Sequence, residues 1–163
     1  MKPIYIAYGS VHGHAKTVAN ELHTKLASDG KNVTILDNNT WGLVSDEPAI
    51  CLVIVATTGA GDLPKNILPF YNHLCLKEDK YDDLSYAVLG LGDRCYRETF
   101  CNAGKRMDAL LLELKSESLL PLTTIDASEI ADPMEVAVPW LDKIMSHLEH
   151  KADLLNVGAI KTG

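Results

Sequence analysis

The sequence contains no apolar run close to the roughly 20 residues that a membrane-spanning helix needs. Its first residues enter a strand-like segment at once, without the basic stretch, apolar core and small-residue cleavage site of an export signal. Both absences make a cytoplasmic protein the expectation. The four cysteines, Cys51, Cys75, Cys95 and Cys101, have no C-x-x-C spacing. A chain of 163 residues can bury a real core without a disulfide framework, so they read as reduced thiols. None of the six histidines forms an H-x-x-x-H pair, and no metal site is expected. Repeats, low-complexity segments and linkers are missing too. Positive charge is scarce, with 15 Lys and Arg against 22 Asp and Glu and a net charge of −7. That balance disfavours nucleic acid and anionic membranes as partners and favours a basic protein surface.

What is present is an ordinary globular composition, 47% apolar and 23% charged. The organising stretch is Ile4 to Thr17. A short apolar run from Ile4 to Tyr8 has the make-up of a buried strand, and a loop with Gly9, Ser10 and Gly13 follows it into a helical pattern. A strand that breaks into a small-residue loop and then opens a helix aims backbone N–H groups and the positive end of a helix dipole at one spot. Such a spot suits an anion, most often a phosphate.

Further along, Ala15 to Ser28 has helical period and stops at Gly30. Val33 to Leu36 is a short strand. Ile50 to Ala56 is a continuous apolar run without alternation, as in a strand covered on both faces, and it ends at Thr57-Thr58-Gly59-Ala60-Gly61-Asp62. Leu63 to Leu76 reads as a helix entered through Pro64. Tyr86 to Leu89 is another buried strand, followed by Gly90 to Tyr96. Ala103 to Leu114 is an amphipathic helix, Leu119 to Ile125 a fifth strand, and Val136 to Leu148 a closing helix. The expected organisation is one domain over residues 1–150 and a C-terminal tail over 151–163, where periodicity is weak and fraying is expected. Strands alternating with helices imply a parallel sheet covered on both faces, with ligands bound beyond the carboxyl ends of its strands.

Other phosphate-binding patterns fail. A P-loop needs G-x-x-x-x-G-K-[ST], and here Lys16 stands three residues after Gly13. A receiver-type domain needs an acidic pair after the first strand and an aspartate after the third, where this chain has Tyr8-Gly9 and Thr57-Thr58. A dinucleotide fold wants G-x-G-x-x-G in the first turn, and no third glycine is present.

Three segments are specific in combination: S-V-H-G-H-A (Ser10 to Ala15), A-T-T-G-A-G-D-L-P-K-N (Ala56 to Asn66), and L-G-L-G-D-R-C-Y (Leu89 to Tyr96) followed by F-C-N-A-G-K (Phe100 to Lys105). In this order, each at a predicted strand end, they resemble the three FMN-contacting loops of flavodoxins. Within that family the chain is similar to the short-chain, MioC-like type and to the FMN domains of sulfite reductase and cytochrome P450 reductase. The resemblance spans Ile4 to about Trp140. It implies a flavodoxin-like α/β fold, a three-layer sandwich around a five-stranded parallel sheet of order 2-1-3-4-5.

The resemblance also implies one noncovalent FMN. Ser10, Val11, His12, Gly13, His14 and Ala15 would wrap its phosphate. Relatives usually carry hydroxyl residues where His12 and His14 stand; these imidazoles either hydrogen-bond to the phosphate or face solvent. Thr57, Thr58 and Gly59 would lie along the ring, with Thr58 at a position often aromatic in relatives. Gly59 would permit a peptide flip that serves the one-electron-reduced ring. Leu91, Gly92, Asp93 and Cys95 would meet the pyrimidine edge, and Tyr96 would stack on the outer face. Phe100 and Cys101 complete the loop, which has one residue more between Tyr96 and Phe100 than relatives usually have. Cys51 and Cys75 read as packing residues, Glu78 to Asp83 as a solvated charge cluster, and Asp62, Asp93, Asp126 and Glu129 as an acidic rim. The implied function is a monomeric carrier passing single electrons from a basic flavoprotein reductase, of the ferredoxin/flavodoxin-NADP reductase type, to acceptor enzymes. The alternatives are an FMN-dependent NAD(P)H:quinone reductase and a regulatory module that binds FMN weakly.

Overall fold

The computed structural model describes residues 2–45, 47–58, 61–76 and 81–162, with backbone alone from 159 onward. Gly59, and Glu78 to Lys80 of the charge cluster, lie outside the described residues. The elements run β1 (Ile4–Gly9), α1 (His14–Ser28), β2 (Val33–Ile35), β3 (Ala49–Ala56), α2 (Leu68–Leu76), β4 (Leu84–Gly92), α3 (Asn102–Glu113), β5 (Glu117–Ser118), β6 (Thr123–Asp126) and α4 (Met134–Thr162). Every strand pairing is parallel, and the sheet order is β2-β1-β3-β4-β5, with β6 also on β4.

The unbroken apolar run in β3 has a direct cause. Its side chains alternate between two separate cores, Cys51, Val53 and Val55 facing one and Ile50, Leu52 and Ile54 the other. The first core takes Phe70 and Leu74 from α2 and Met107 and Leu111 from α3; the second takes Val18 and Leu22 from α1 and Trp140 and Ile144 from α4. The sheet is therefore the middle of three layers, and a side chain on either face of β3 is driven inward.

Register decides where the loops emerge. Gly9 of β1 pairs with Val55 of β3, and Val55 pairs with Gly90 of β4. These three strands thus end within about two residues of one another along one rim, and Gly92 pairing with Asp126 brings the end of β6 to the same rim.

Four elements differ from the sequence expectation by more than one residue. α2 begins at Leu68, because residues 65–67 form a turn in which the Ile67 amide bonds to the Pro64 carbonyl. Pro69 then sits in the first helical turn, where its missing N–H costs nothing. β4 is longer at both ends than Tyr86 to Leu89. The fifth strand is split: β5 and β6 each pair with β4, and between them Leu119 still donates to the Tyr86 carbonyl before Pro121, which has no N–H, breaks the ladder. α4 starts at Met134, capped by the Asp132 carboxylate, and its helical backbone continues to Thr162. Lys151 ties it to β5 through a salt bridge to Glu117 at 2.6 Å. Beyond that tie Leu154, Leu155 and Val157 are exposed. All four cysteines are free, and Cys51 is buried as expected, its thiol pushed up to about 12 by burial. Cys75, read as a packing residue, is exposed on the last turn of α2. No described helix is long and apolar enough to cross a membrane.

Candidate functional site

The loops after β1, β3, β4 and β6 enclose a cleft of about 670 Å³. That lies within the range of roughly 300–1,000 Å³ usual for small-molecule and cofactor sites.

The first wall is the β1–α1 loop, which supplies Ser10, Val11, His12 and His14 to the cleft. Gly13 is the N-cap of α1 at φ 86°, and no side chain caps the helix. A glycine is needed there for that left-handed backbone, since the space a Cβ would occupy is open. The loop is held by its own amides. Ser10 N–H donates to Asn66 Oδ1 (3.0 Å), Asn66 Nδ2 donates to the Tyr8 carbonyl (3.0 Å), and Gly13 N–H donates to Ser10 Oγ (2.9 Å). Two of the amides expected to face a phosphate are therefore spent inside the protein. The N–H groups of the first helical turn have no intrahelical partner, and no acidic side chain stands in that turn. Ala15 is fully buried against the α1 side of the sheet and contributes only backbone.

The second wall comes from Ala56, Thr57 and Thr58. Thr57 is fixed twice, its N–H donating to the Leu91 carbonyl (3.1 Å) and its Oγ accepting from Ala103 N–H (3.1 Å). Thr58 and Asp62 exchange backbone hydrogen bonds at 3.0 and 2.8 Å, and Asn102 Nδ2 donates from α3 to the Gly61 carbonyl (2.8 Å).

The third wall is the β4–α3 loop. Leu91 and Gly92 form the floor, Asp93 the near side, and Tyr96 stands at the mouth with 68% of its surface exposed. Asp93 caps the one-turn 3₁₀ helix Arg94–Tyr96 by accepting from Cys95 N–H (2.8 Å). Cys95 points away from the cleft into an adjoining groove with Arg94 and Arg97. Its thiol is pushed up by the hydrogen bond and charge of Asp93, so it is not a reactive thiolate. Phe100 lines the cleft, with the Arg94 guanidinium 5.2 Å above its ring. Cys101 is buried at the N-cap of α3 with φ 51° and its Sγ 3.5 Å from the Gly90 carbonyl; burial pushes its thiol up to about 11.

The fourth wall was not foreseen. Ile125, Ala127, Ile130, Ala131 and Pro133 close the cleft between β6 and α4. The only signal for them was the strand end at Asp126, which no motif accompanies. Asp126 is itself 6% exposed. It accepts from Ser128 Oγ (2.7 Å), Ser128 N–H (3.0 Å) and Arg94 N–H (3.1 Å), and its second oxygen lies 3.5 Å from Arg94 Nε. Burial alone would raise its pKa, but these donors and the guanidinium together hold it below the usual carboxylate value. Asp126 is thus a buried, paired carboxylate and not the free rim charge expected of it. Asp93 lies on the cleft, Asp62 in a groove beside it, and Glu129 is exposed.

The arrangement fits FMN by its chemistry. An uncapped helix start stands at one end of the cleft, an apolar floor and aromatic rim at the other, and the volume suits a ligand of that size. The flavodoxin family profile matches residues 6–140. Flavodoxin YqcA of Escherichia coli K12 is 34% identical over 146 residues, covering 88% of this chain and 96% of its own. A MioC homologue from Pasteurella multocida is 34% identical over 145 residues, covering 89% and 97%. Among solved structures, a cysteine-to-serine variant of a Pseudomonas aeruginosa flavodoxin superposes with a TM-score of 0.80 at 32% identity, covering 91% of this chain and 99% of that one. The fold and the cleft define an electron-transfer protein of the FMN-binding class. The chain belongs to the flavodoxin family.

Proposed function

We propose that the chain is a carrier that accepts electrons from a flavoprotein reductase with a basic docking face and hands them singly to acceptor redox enzymes. The observation that carries this reading is the convergence of the loops after β1, β3 and β4 on one open cleft whose rim residue, Tyr96, is 68% exposed. A redox group lying there would have an edge that a partner can approach closely. Bound in the cleft, FMN supplies reversible electron uptake and release at its ring.

The residues have distinct roles in this scheme. The β1–α1 loop and the first turn of α1 bind the phosphate, with Ser10 Oγ free to donate its own proton while accepting from Gly13. Thr57 and Thr58 hold the inner side of the ring, Leu91 and Gly92 its floor, and Tyr96 covers the outer face. Asp93 places negative charge at the wall and so opposes a build-up of negative charge on the ligand. Phe100 and Ile130 exclude water from either side. The net charge of −7 favours encounter with a basic partner.

The test is steady-state NADPH oxidation by the FMN-loaded chain, alone and with a ferredoxin/flavodoxin-NADP reductase. The carrier reading expects turnover only when the reductase is present. Turnover by the chain alone, with a quinone as acceptor, would identify a quinone reductase. A chain that cannot be loaded with FMN would be a regulatory module. Sedimentation is expected to give a monomer, since one docking face must serve successive partners.

A further inference from the structure

We infer that His12 and His14 determine the preference of the cleft for a phosphorylated flavin over the unphosphorylated one, and that they do so only while protonated. The inference rests on the cleft being the FMN site. Among the described residues lining it there is no lysine or arginine, so His12 and His14, both exposed at its edge, are the only lining residues able to carry positive charge. The backbone supplies less than the loop's length suggests, because Ser10 N–H and Gly13 N–H are engaged by Asn66 and Ser10. A phosphate held here has the first-turn amides of α1, one hydroxyl and the two histidines to balance its charge.

Arg94 stands over Phe100 at the edge of the cleft, paired with Asp126, and Lys105 is exposed on α3. The other ionisable groups on the cleft wall are Asp93, which accepts from Cys95 N–H, the Tyr96 phenol and the Cys101 thiol, the last pushed up to about 11. On the other side of Ser10 and Val11, the adjoining groove carries Asp62, Lys65 and Arg106, with Arg106 lying over the Tyr71 ring. Lys16 is exposed on α1 itself, and Glu129 and Asp132 are exposed on the β6–α4 segment. Histidine is the side chain whose ordinary titration falls between about pH 5 and 8. A neighbouring phosphate dianion favours the imidazolium. A phosphate bound there therefore favours the protonated rings, and phosphate recognition declines as rising pH removes those protons. The phosphate's second ionisation, near about pH 6, works the other way on the acid side. The preference should peak between the two.

The experiment compares FMN with riboflavin, which lacks the phosphate. The flavin-free chain is titrated with each, by quenching of flavin fluorescence, from pH 5.5 to 8.5 at constant ionic strength. It is done for the native chain, His12→Thr, His14→Thr and the double variant. In the native chain the FMN-to-riboflavin affinity ratio should fall by roughly 1.5- to fivefold per histidine between pH 6.5 and 8.5, the range for solvent-screened charge pairs. In the double variant the ratio should be lower at pH 6.5 and flat above it, with riboflavin affinity retained. A double variant that keeps the native pH profile overturns the inference while leaving the FMN site intact. Loss of riboflavin binding as well would overturn it by making the histidines structural. A native chain that binds neither flavin would refute the cofactor reading itself.

Discussion

Gly92 joins the end of β4 to the floor of the cleft, and adding one methyl group there tests whether the third wall is as tightly set as the geometry requires. A Cβ on Gly92 would lie 2.9 Å from Cys101 N, 2.9 Å from Cys101 Sγ and 3.1 Å from Phe100 Cδ2. The first contact is with backbone and cannot be relieved by rotating a side chain. Cys101 cannot retreat freely, because it caps α3 in a left-handed conformation, φ 51°, that a non-glycine residue adopts at a cost of about 1 kcal/mol or more. Its Sγ also lies 3.5 Å from the Gly90 carbonyl oxygen, and its neighbour Asn102 holds the second loop through Gly61. Overpacking of this kind costs about 1–3 kcal/mol. The strain falls on the start of α3 and on Phe100, so two walls of the cleft move together. Gly92→Ala should therefore lower the urea midpoint by an amount equivalent to about 1–3 kcal/mol and weaken FMN by about fivefold or more where the strain falls on the bound cleft, since each 1.4 kcal/mol is a factor of ten. Urea unfolding followed by circular dichroism and fluorescence titration with FMN measure the two effects. A variant with native stability and native FMN affinity would refute the reasoning about this wall.

Other predictions follow from the same geometry. Tyr96→Ala should weaken FMN by about tenfold, combining lost apolar cover with stacking worth about 0.5–1.5 kcal/mol, whereas Tyr96→Phe should leave affinity near native in the same titration. Phe70 is fully buried and stacks on Trp41 with ring centroids 5.0 Å apart. Phe70→Ala should cost about 3–5 kcal/mol in urea unfolding, with the native fold retained on ice and lost on mild warming. Asp126 has a folded-state pKa below its ordinary value of 3.8, so its stabilising effect is fully present above about pH 4 and is lost as pH falls through the folded value. Asp126→Asn should therefore lower the thermal midpoint at pH 7, and the gap to the native chain should close as pH falls below 3.8. A gap that stays constant with pH would remove the ion-pair explanation.

The sequence made some of this molecule plain and hid the rest for physical reasons. Ile50 to Ala56 showed a strand with both faces covered, because burial on two sides demands apolar residues without alternation, and its side chains do divide between two cores. The β1–α1 loop was legible because glycine and serine between a strand and a helix have few other uses. Its internal hydrogen bonds were not, since the donor that locks Tyr8 and the acceptor that occupies Ser10 both belong to Asn66, across the rim. The split of the fifth strand depends on Pro121 lying where β4 still offers partners, a matter of register and not of local propensity. The fourth wall was invisible for a similar reason. Ile130 and Pro133 come from an irregular segment whose course is set by the Ser128 and Arg94 contacts to Asp126. The extension of α4 beyond Leu148 was missed because Leu154, Leu155 and Val157 are exposed, and periodicity reports burial.

The proposed carrier role requires that the cleft hold one FMN and let it change charge one electron at a time. The most direct measurement is stepwise anaerobic reduction of the FMN-saturated chain, followed by visible absorbance from the oxidised to the fully reduced end. The account predicts a long-wavelength band that rises to a maximum near one electron per flavin and disappears by two. A spectrum that passes from oxidised to reduced through a single isosbestic point, with no such band at any stage, would contradict it.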